Sequence, residues 1–215
     1  MPMKLLLAAA LALQFCVTLR AAADDCVDAD AVVGATYSIG GGAGDSPREF
    51  LLLRQSAGRL IYAMPDTHLM QVYERYPKGH VKLIEYFHLE AIGVEHEPEP
   101  SRPRQGWDAM YSLIAPATLA QLPVVGEGSY RCLATEQRQG LAGHDRVAVE
   151  WIGALDLPLT LQRGEAGAQK RWELQALVTD RAVLDAALAR VEEYRLYDFA
   201  DLGDSEHEEF FRRSR

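Results

Sequence analysis
The sequence predicts an α+β fold: one antiparallel sheet of about eight to ten strands, covered by a mid-chain helix and followed by C-terminal helices. Two groups of short apolar segments joined by turn chemistry predict the sheet. An aromatic stripe at helical spacing between the two groups predicts the cover. No internal repeat or second apolar core interrupts the 215 residues. Everything after an N-terminal leader therefore reads as one unit, residues 24–193, with an acidic tail and short helix at 194–215.

Residues 1–23 read as a secretory signal peptide that is removed. Lys4 supplies the positive charge, Leu5 to Val17 is apolar apart from Gln14, and Ala21-Ala22-Ala23 offers small residues for cleavage before Asp24. The apolar run is shorter than the roughly 20 residues a bilayer span needs, and no second such run follows. The expected location is the periplasm or the exterior, and the absence of Asn beside abundant Ala, Leu, Arg and Gly fits a GC-rich, Gram-negative bacterium. Cleavage removes Cys16 and leaves Cys26 and Cys132. An oxidising compartment favours joining such an even pair as one disulfide, the alternative being two buried thiols.

After the small-residue stretch Gly40 to Gly44 come five strand-like segments: Phe50 to Arg54, Arg59 to Met64, Leu69 to Arg75, Val81 to Phe87 and Ala91 to His96. Their separators, such as Pro65-Asp-Thr-His68 and Tyr76-Pro-Lys-Gly79, are turn chemistry at hairpin length, so the strands are antiparallel neighbours. Both faces are apolar, with Leu60, Tyr62 and Met64 on one and Ile61 and Ala63 on the other. Either both faces are covered or one lines a cavity. The prolines of His96 to Pro103 are expected to end the meander in a loop. Trp107, Met110, Tyr111 and Ile114 then recur at helical spacing, with a break at Pro116. Strands resume at Tyr130 to Thr135, Arg146 to Ile152, Pro158 to Gln162 and Arg171 to Val178. Asp180 to Glu193 reads as a helix, and Ser205-Glu-His-Glu208 as the capping box of a last one.

A formal net charge of −9 argues against nucleic acid as a partner, because counterion displacement needs a basic surface. The catalytic motifs are incomplete. Gly44-Asp45-Ser46 with Asp204-Ser-Glu-His207 imitates the outer blocks of a GDSL-type hydrolase but lacks its Asn and its preceding strand, and no Gly-x-Ser-x-Gly elbow exists. There is no Cys-x-x-Cys. His68 and Met70 with Met64 are soft ligands that a copper site would need to converge. The carboxylates from Asp198 to Glu209 lack EF-hand spacing. The sequence thus points to a non-enzymatic protein with no cofactor and no metal.

Phe50-Leu-Leu-Leu-Arg54, Arg59-Leu-Ile-Tyr62-Ala-Met-Pro65-Asp66 and Val72-Tyr73-Glu-Arg75 together resemble the early strands of the periplasmic lipoprotein-carrier half-barrels, the LolA, LolB and RseB superfamily. Val149-Glu-Trp151-Ile152 and Leu157-Pro158-Leu-Thr-Leu161 resemble that family's paired strands with a Leu-Pro step. The resemblance implies a half-barrel-like sheet closed by a helical lid at Trp107 to Leu122. It implies binding of a lipid, a lipoprotein acyl chain or a hydrophobic peptide between sheet and lid, with Tyr62, Tyr73, Phe87, Trp107, Tyr111 and Trp151 as lining residues. The alternative is an envelope protein that interacts with another protein and has a closed core.

Overall fold
The computed structural model describes residues 26–41, 46–56, 58–99, 106–165 and 168–200. The leader, Cys16 and the capping box at Ser205 lie outside the described residues, as does most of the acidic tail. Within them the chain forms a single open sheet of 12 strands rather than about eight to ten. In chain order these are β1 (Gly34–Gly40), β2 (Arg48–Ser56), β3 (Arg59–Met64), β4 (Leu69–Arg75), β5 (Val81–Phe87), β6 (Ile92–Glu99), β7 (Val124–Tyr130), β8 (Leu133–Ala142), β9 (Asp145–Ile152), β10 (Leu157–Gly164), β11 (Lys170–Val178) and β12 (Arg195–Asp198). Three short helices accompany them: α1 (Trp107–Tyr111), α2 (Pro116–Gln121) and α3 (Arg181–Ala189).

The strand order is β12-β6-β5-β4-β3-β2-β1-β11-β10-β9-β8-β7. Two meanders meet in the middle. One runs outward from β1 to β6; the other starts at the far edge with β7 and returns to β11, which pairs antiparallel with β1. Every ladder is antiparallel except that of β12, which lies parallel to β6. The β6-to-β7 connection carries α1 and α2, and the β11-to-β12 connection carries α3. Gly34 sits where β1 meets β2 too closely for a side chain, since a Cβ there would lie 2.2 Å from the carbonyl oxygen of Leu52.

The doubly apolar strands are covered on both faces. On one, the lid face, Ala35, Tyr37, Phe50, Leu52, Leu60, Tyr73 and Leu83 pack with Trp107 and Met110 of α1. On the other, Leu53, Ile61, Met70, Val72, Ile84 and Tyr86 pack under Leu184 of α3 and Val191 beyond it. A third cluster joins Ile114 and Leu122, on either side of α2, to Val147, Val149, Trp151 and Leu161. Beyond the reach of α3, the second face of β8 to β10 carries Gln137, Gln139, Glu150 and Gln162, the polar side of an antiparallel sheet that meets water.

Several expectations need correction. His96 to Glu99 continue β6 instead of ending it. Pro98 is tolerated because the register shifts between Val81 and Leu83 and because β12 pairs only with Ile92 to Glu95. Residues 195–198, read as the start of a tail, complete the sheet edge as β12. The strand expected at Tyr130 to Thr135 is instead the β7–β8 turn, with Arg131 and Cys132 in left-handed conformations, and only its last three residues begin β8; β1 and β7 escaped the sequence reading because glycines punctuate both, and the rest of β8 because its Glu-Gln-Arg-Gln run has little strand propensity. The mid-chain helix is interrupted earlier than the expected break at Pro116: α1 ends at Tyr111, Leu113 takes a left-handed conformation (φ 60°), Ile114 lies between the helices, and Pro116 starts α2 afresh.

Cys26 and Cys132 form a disulfide with a Cα–Cα distance of 5.0 Å. It ties the N-terminal segment to the turn between β7 and β8, where the Val27 amide also donates to the Arg131 carbonyl at 3.2 Å. No helix among the described residues is long and apolar enough to cross a membrane.

Candidate functional site
The feature with most chemical character is the lid, residues 106–122, and the space beside it. α1 has only five residues and no side-chain cap, so tertiary contacts must hold it. Trp107, Ala109 and Met110 supply the apolar part by burying against the sheet. Two side chains rising from the lid face supply the polar part. Tyr62 Oη donates to the Met110 carbonyl at 2.6 Å. Arg54 Nη2 donates to the Tyr111 carbonyl and, at 2.9 Å, to that of Asp156, while its Nη1 donates to Leu155 at 2.7 Å. One guanidinium therefore clasps the end of α1 to the turn between β9 and β10.

Arg54 reaches this position because it shares strand parity with Phe50 and Leu52, both buried on the lid face. Its charge is covered by the Tyr111 ring, 4.0 Å from guanidinium carbon to ring centroid. Its hydrogen-bond partners among the described residues are the neutral carbonyls of Leu155, Tyr111 and Asp156, and Nε is buried without one. Burial therefore lowers its pKa, opposed by Tyr111, Tyr37 and Asp156. Burial likewise raises the hydroxyl pKa values of Tyr62 and Tyr37, so both remain neutral donors.

The far end of the lid is held differently. Arg138 of β8 binds Glu136 through Nε and Nη2, at 2.9 and 2.6 Å, and its Nη1 reaches the Leu122 carbonyl at 3.1 Å. Leu122, 1% exposed, plugs the sheet beside Gly140, where a Cβ would lie 3.1 Å from the Leu122 side chain. Between the two anchored ends a cleft of about 230 Å³ opens, walled by Ile114, Pro116, Leu119, Ala120 and Trp151, with Ser112, Arg138 and Asp156 as its polar members. A mostly apolar wall with few polar groups is the usual make-up of a small-ligand site, although this one is smaller than the roughly 300–1,000 Å³ such sites span.

The six lining candidates divide three ways. Tyr62, Tyr73, Trp107 and Tyr111 converge in one cluster beneath α1, with Tyr62 packed edge-on against Phe50 and Tyr73 at centroid distances of 4.9 and 5.6 Å. There they fill the interior. Trp151 alone lines the open cleft. Phe87, at the end of β5, belongs to neither group. Sequence reasoning missed Arg54, Ile114, Leu119, Arg138 and Asp156 as site residues. The parity of Arg54 with Phe50 and Leu52 was the available signal, and Ile114 and Leu119 lay within the expected lid; nothing local marks Arg138 and Asp156.

Two histidines have partners outside the cleft. On β6, His96 Nε2 lies 2.9 Å from Glu85 Oε2, and Gln71 links Glu85 to the Tyr73 hydroxyl, forming a half-buried polar chain. His88 Nδ1 lies 3.0 Å from Tyr194 Oη; burial, then Arg190 and His68, hold its pKa below the ordinary value. Among the described residues no group of three His, Cys, Asp or Glu side chains is placed to hold a metal ion. The soft-ligand trio does not converge, because Met64 packs on the lid face and Met70 on the other.

No family model and no curated protein matches the sequence. Among solved structures, two of PNGF-II, in space groups C2 and P21, superpose with a TM-score of 0.47 at 10% and 13% identity, covering 85% of this chain. The chain spans 33% of the length of those proteins.

Proposed function
We propose that the protein is a non-enzymatic carrier or receptor that binds a lipophilic ligand, an acyl chain or a hydrophobic peptide side chain, at the lid of a half-barrel-like sheet. The observation that carries this reading is the apolar cleft beside a lid whose α1 segment is held over the sheet by Arg54 and Tyr62 hydrogen bonds to two lid carbonyls. A full acyl chain exceeds 230 Å³, so its entry requires the lid to lift and the aromatic cluster beneath α1 to repack around it. The periplasm or the exterior is the compartment this role suits, and the disulfide supports it.

The second reading, an envelope interaction protein with a closed core, draws on the aromatic packing, since Tyr62, Tyr73 and Trp107 already fill the space beneath α1. Titration with a fluorescent fatty acid separates the two. The carrier reading expects saturable binding that Leu119→Asp weakens by about tenfold or more, because a buried unpaired carboxylate would face the apolar chain. Absence of saturable binding to the wild-type chain supports the closed core.

A further inference from the structure
We propose that the outer edge of β7 is a docking edge for an extended partner segment in which a basic residue lies between apolar ones. β7 ends the strand order and, among the described residues, pairs only with β8. Its seven residues thus present unpaired backbone donors and acceptors, the feature that sheet edges normally blunt with lysines, prolines or bulges. Here the blunting is confined to one end: Pro123 precedes the strand, and the register shifts between Val124 and Gly126. Val124 and Val125 are exposed at 47% and 53%.

The two faces of this edge define what would pair with it. On the lid face Glu127 stands directly across the ladder from Glu136, a like-charge pair that destabilises a sheet. Arg138 takes Glu136 at 2.6 Å and, among the described residues, Glu127 has no ion-pair partner. A lysine or arginine opposite Glu127 on an added strand completes the pairing. On the other face, Gly126 and Gly128 carry no side chains, and Val125 borders a shallow groove that runs inward over β8 to β11, away from the free edge. Added-strand residues flanking the basic one point to that face and meet Val125 and the side-chain-free glycine positions, the arrangement by which strand addition gains selectivity from alternate side chains. A second copy of this chain is the poorer occupant, since a two-fold pairing centred on Glu127 opposes it to itself and Val124–Tyr130 holds no lysine or arginine to set against it.

The inference is independent of the lid cleft. Its test is an NMR titration of the full chain with the palindromic peptide Thr-Val-Lys-Val-Thr, which can add in either direction, and with its counterpart carrying Glu for Lys. The lysine peptide is expected to bind at least about threefold tighter, the scale of an exposed ion pair. Shifts and amide protection should be confined to residues 124–130, and Glu127→Lys should reverse the preference. No shift at β7 with either peptide, equal binding of both, or a preference that survives Glu127→Lys would overturn the proposal. So would dilution-dependent self-pairing of β7 that excludes the peptides.

Discussion
Arg54 is the residue on which the lid depends. Its guanidinium satisfies three carbonyls from two separate segments, and hydrogen bonds from a charged donor contribute about 1.5–3 kcal/mol each at best. Arg54→Met keeps the aliphatic packing and removes all of them. Amides near the end of α1 should then exchange with solvent through an opening made easier by about 2–3 kcal/mol, while exchange in β4 and β5 stays unchanged. Equal protection in wild type and variant would show that apolar packing alone holds α1.

His88 supplies a prediction with a defined sign. Burial, Arg190 and His68 disfavour its charged form in the fold, so the unfolded chain takes up the proton first. Stability contributed by neutral His88 is complete above the unfolded value of 6.5 and is lost as pH falls from there through the lower folded value. His88→Gln should therefore reduce the loss of thermal stability between about pH 7.5 and about pH 5. An identical pH dependence in both proteins would contradict this account.

At the level of elements, hydrophobic period was the readable signal. The five strands expected from Phe50 to His96 all appear, the last running on to Glu99, because their apolar segments are separated by hairpin-length turns, three of which carry Pro or Gly. β8 could not be read in this way. Its Gln137 and Gln139 face water, and β7 and β9 impose its extended form. β12 is hidden for a similar reason: four residues beside an acidic stretch become a strand only because β6 offers an edge.

The lid was readable as a helix with a break, but the cleft was not. Asp156 and Arg138 meet Leu119 only through the pairing of β8, β9 and β10. Leu122 anchors the second half of the lid, so Leu122→Ala should destabilise the protein by about 2–5 kcal/mol in denaturant unfolding. A cost below about 1 kcal/mol would mean that the lid collapses onto the vacancy or contributes little.

At the scale of the whole molecule, a single open sheet is assembled from two meanders that join at β1 and β11. That junction is non-local, and so is the disulfide, whose cysteines are 106 residues apart. Closing so long a loop restricts the unfolded chain by about 4–5 kcal/mol in the entropy model. Reduction should lower the unfolding free energy by that order without changing the strand content; no change would locate the stability of the N-terminal segment in its packing instead.

The central claim is that the lid covers a lipophilic site, and native mass spectrometry of the oxidised protein mixed with detergent-solubilised bacterial lipids tests it most directly. The account predicts one lipid-sized adduct on the wild-type chain, retained by Glu127→Lys on the β7 edge and lost in Leu119→Asp. A clean unliganded mass for the wild type, or an adduct that Leu119→Asp carries equally, would contradict it.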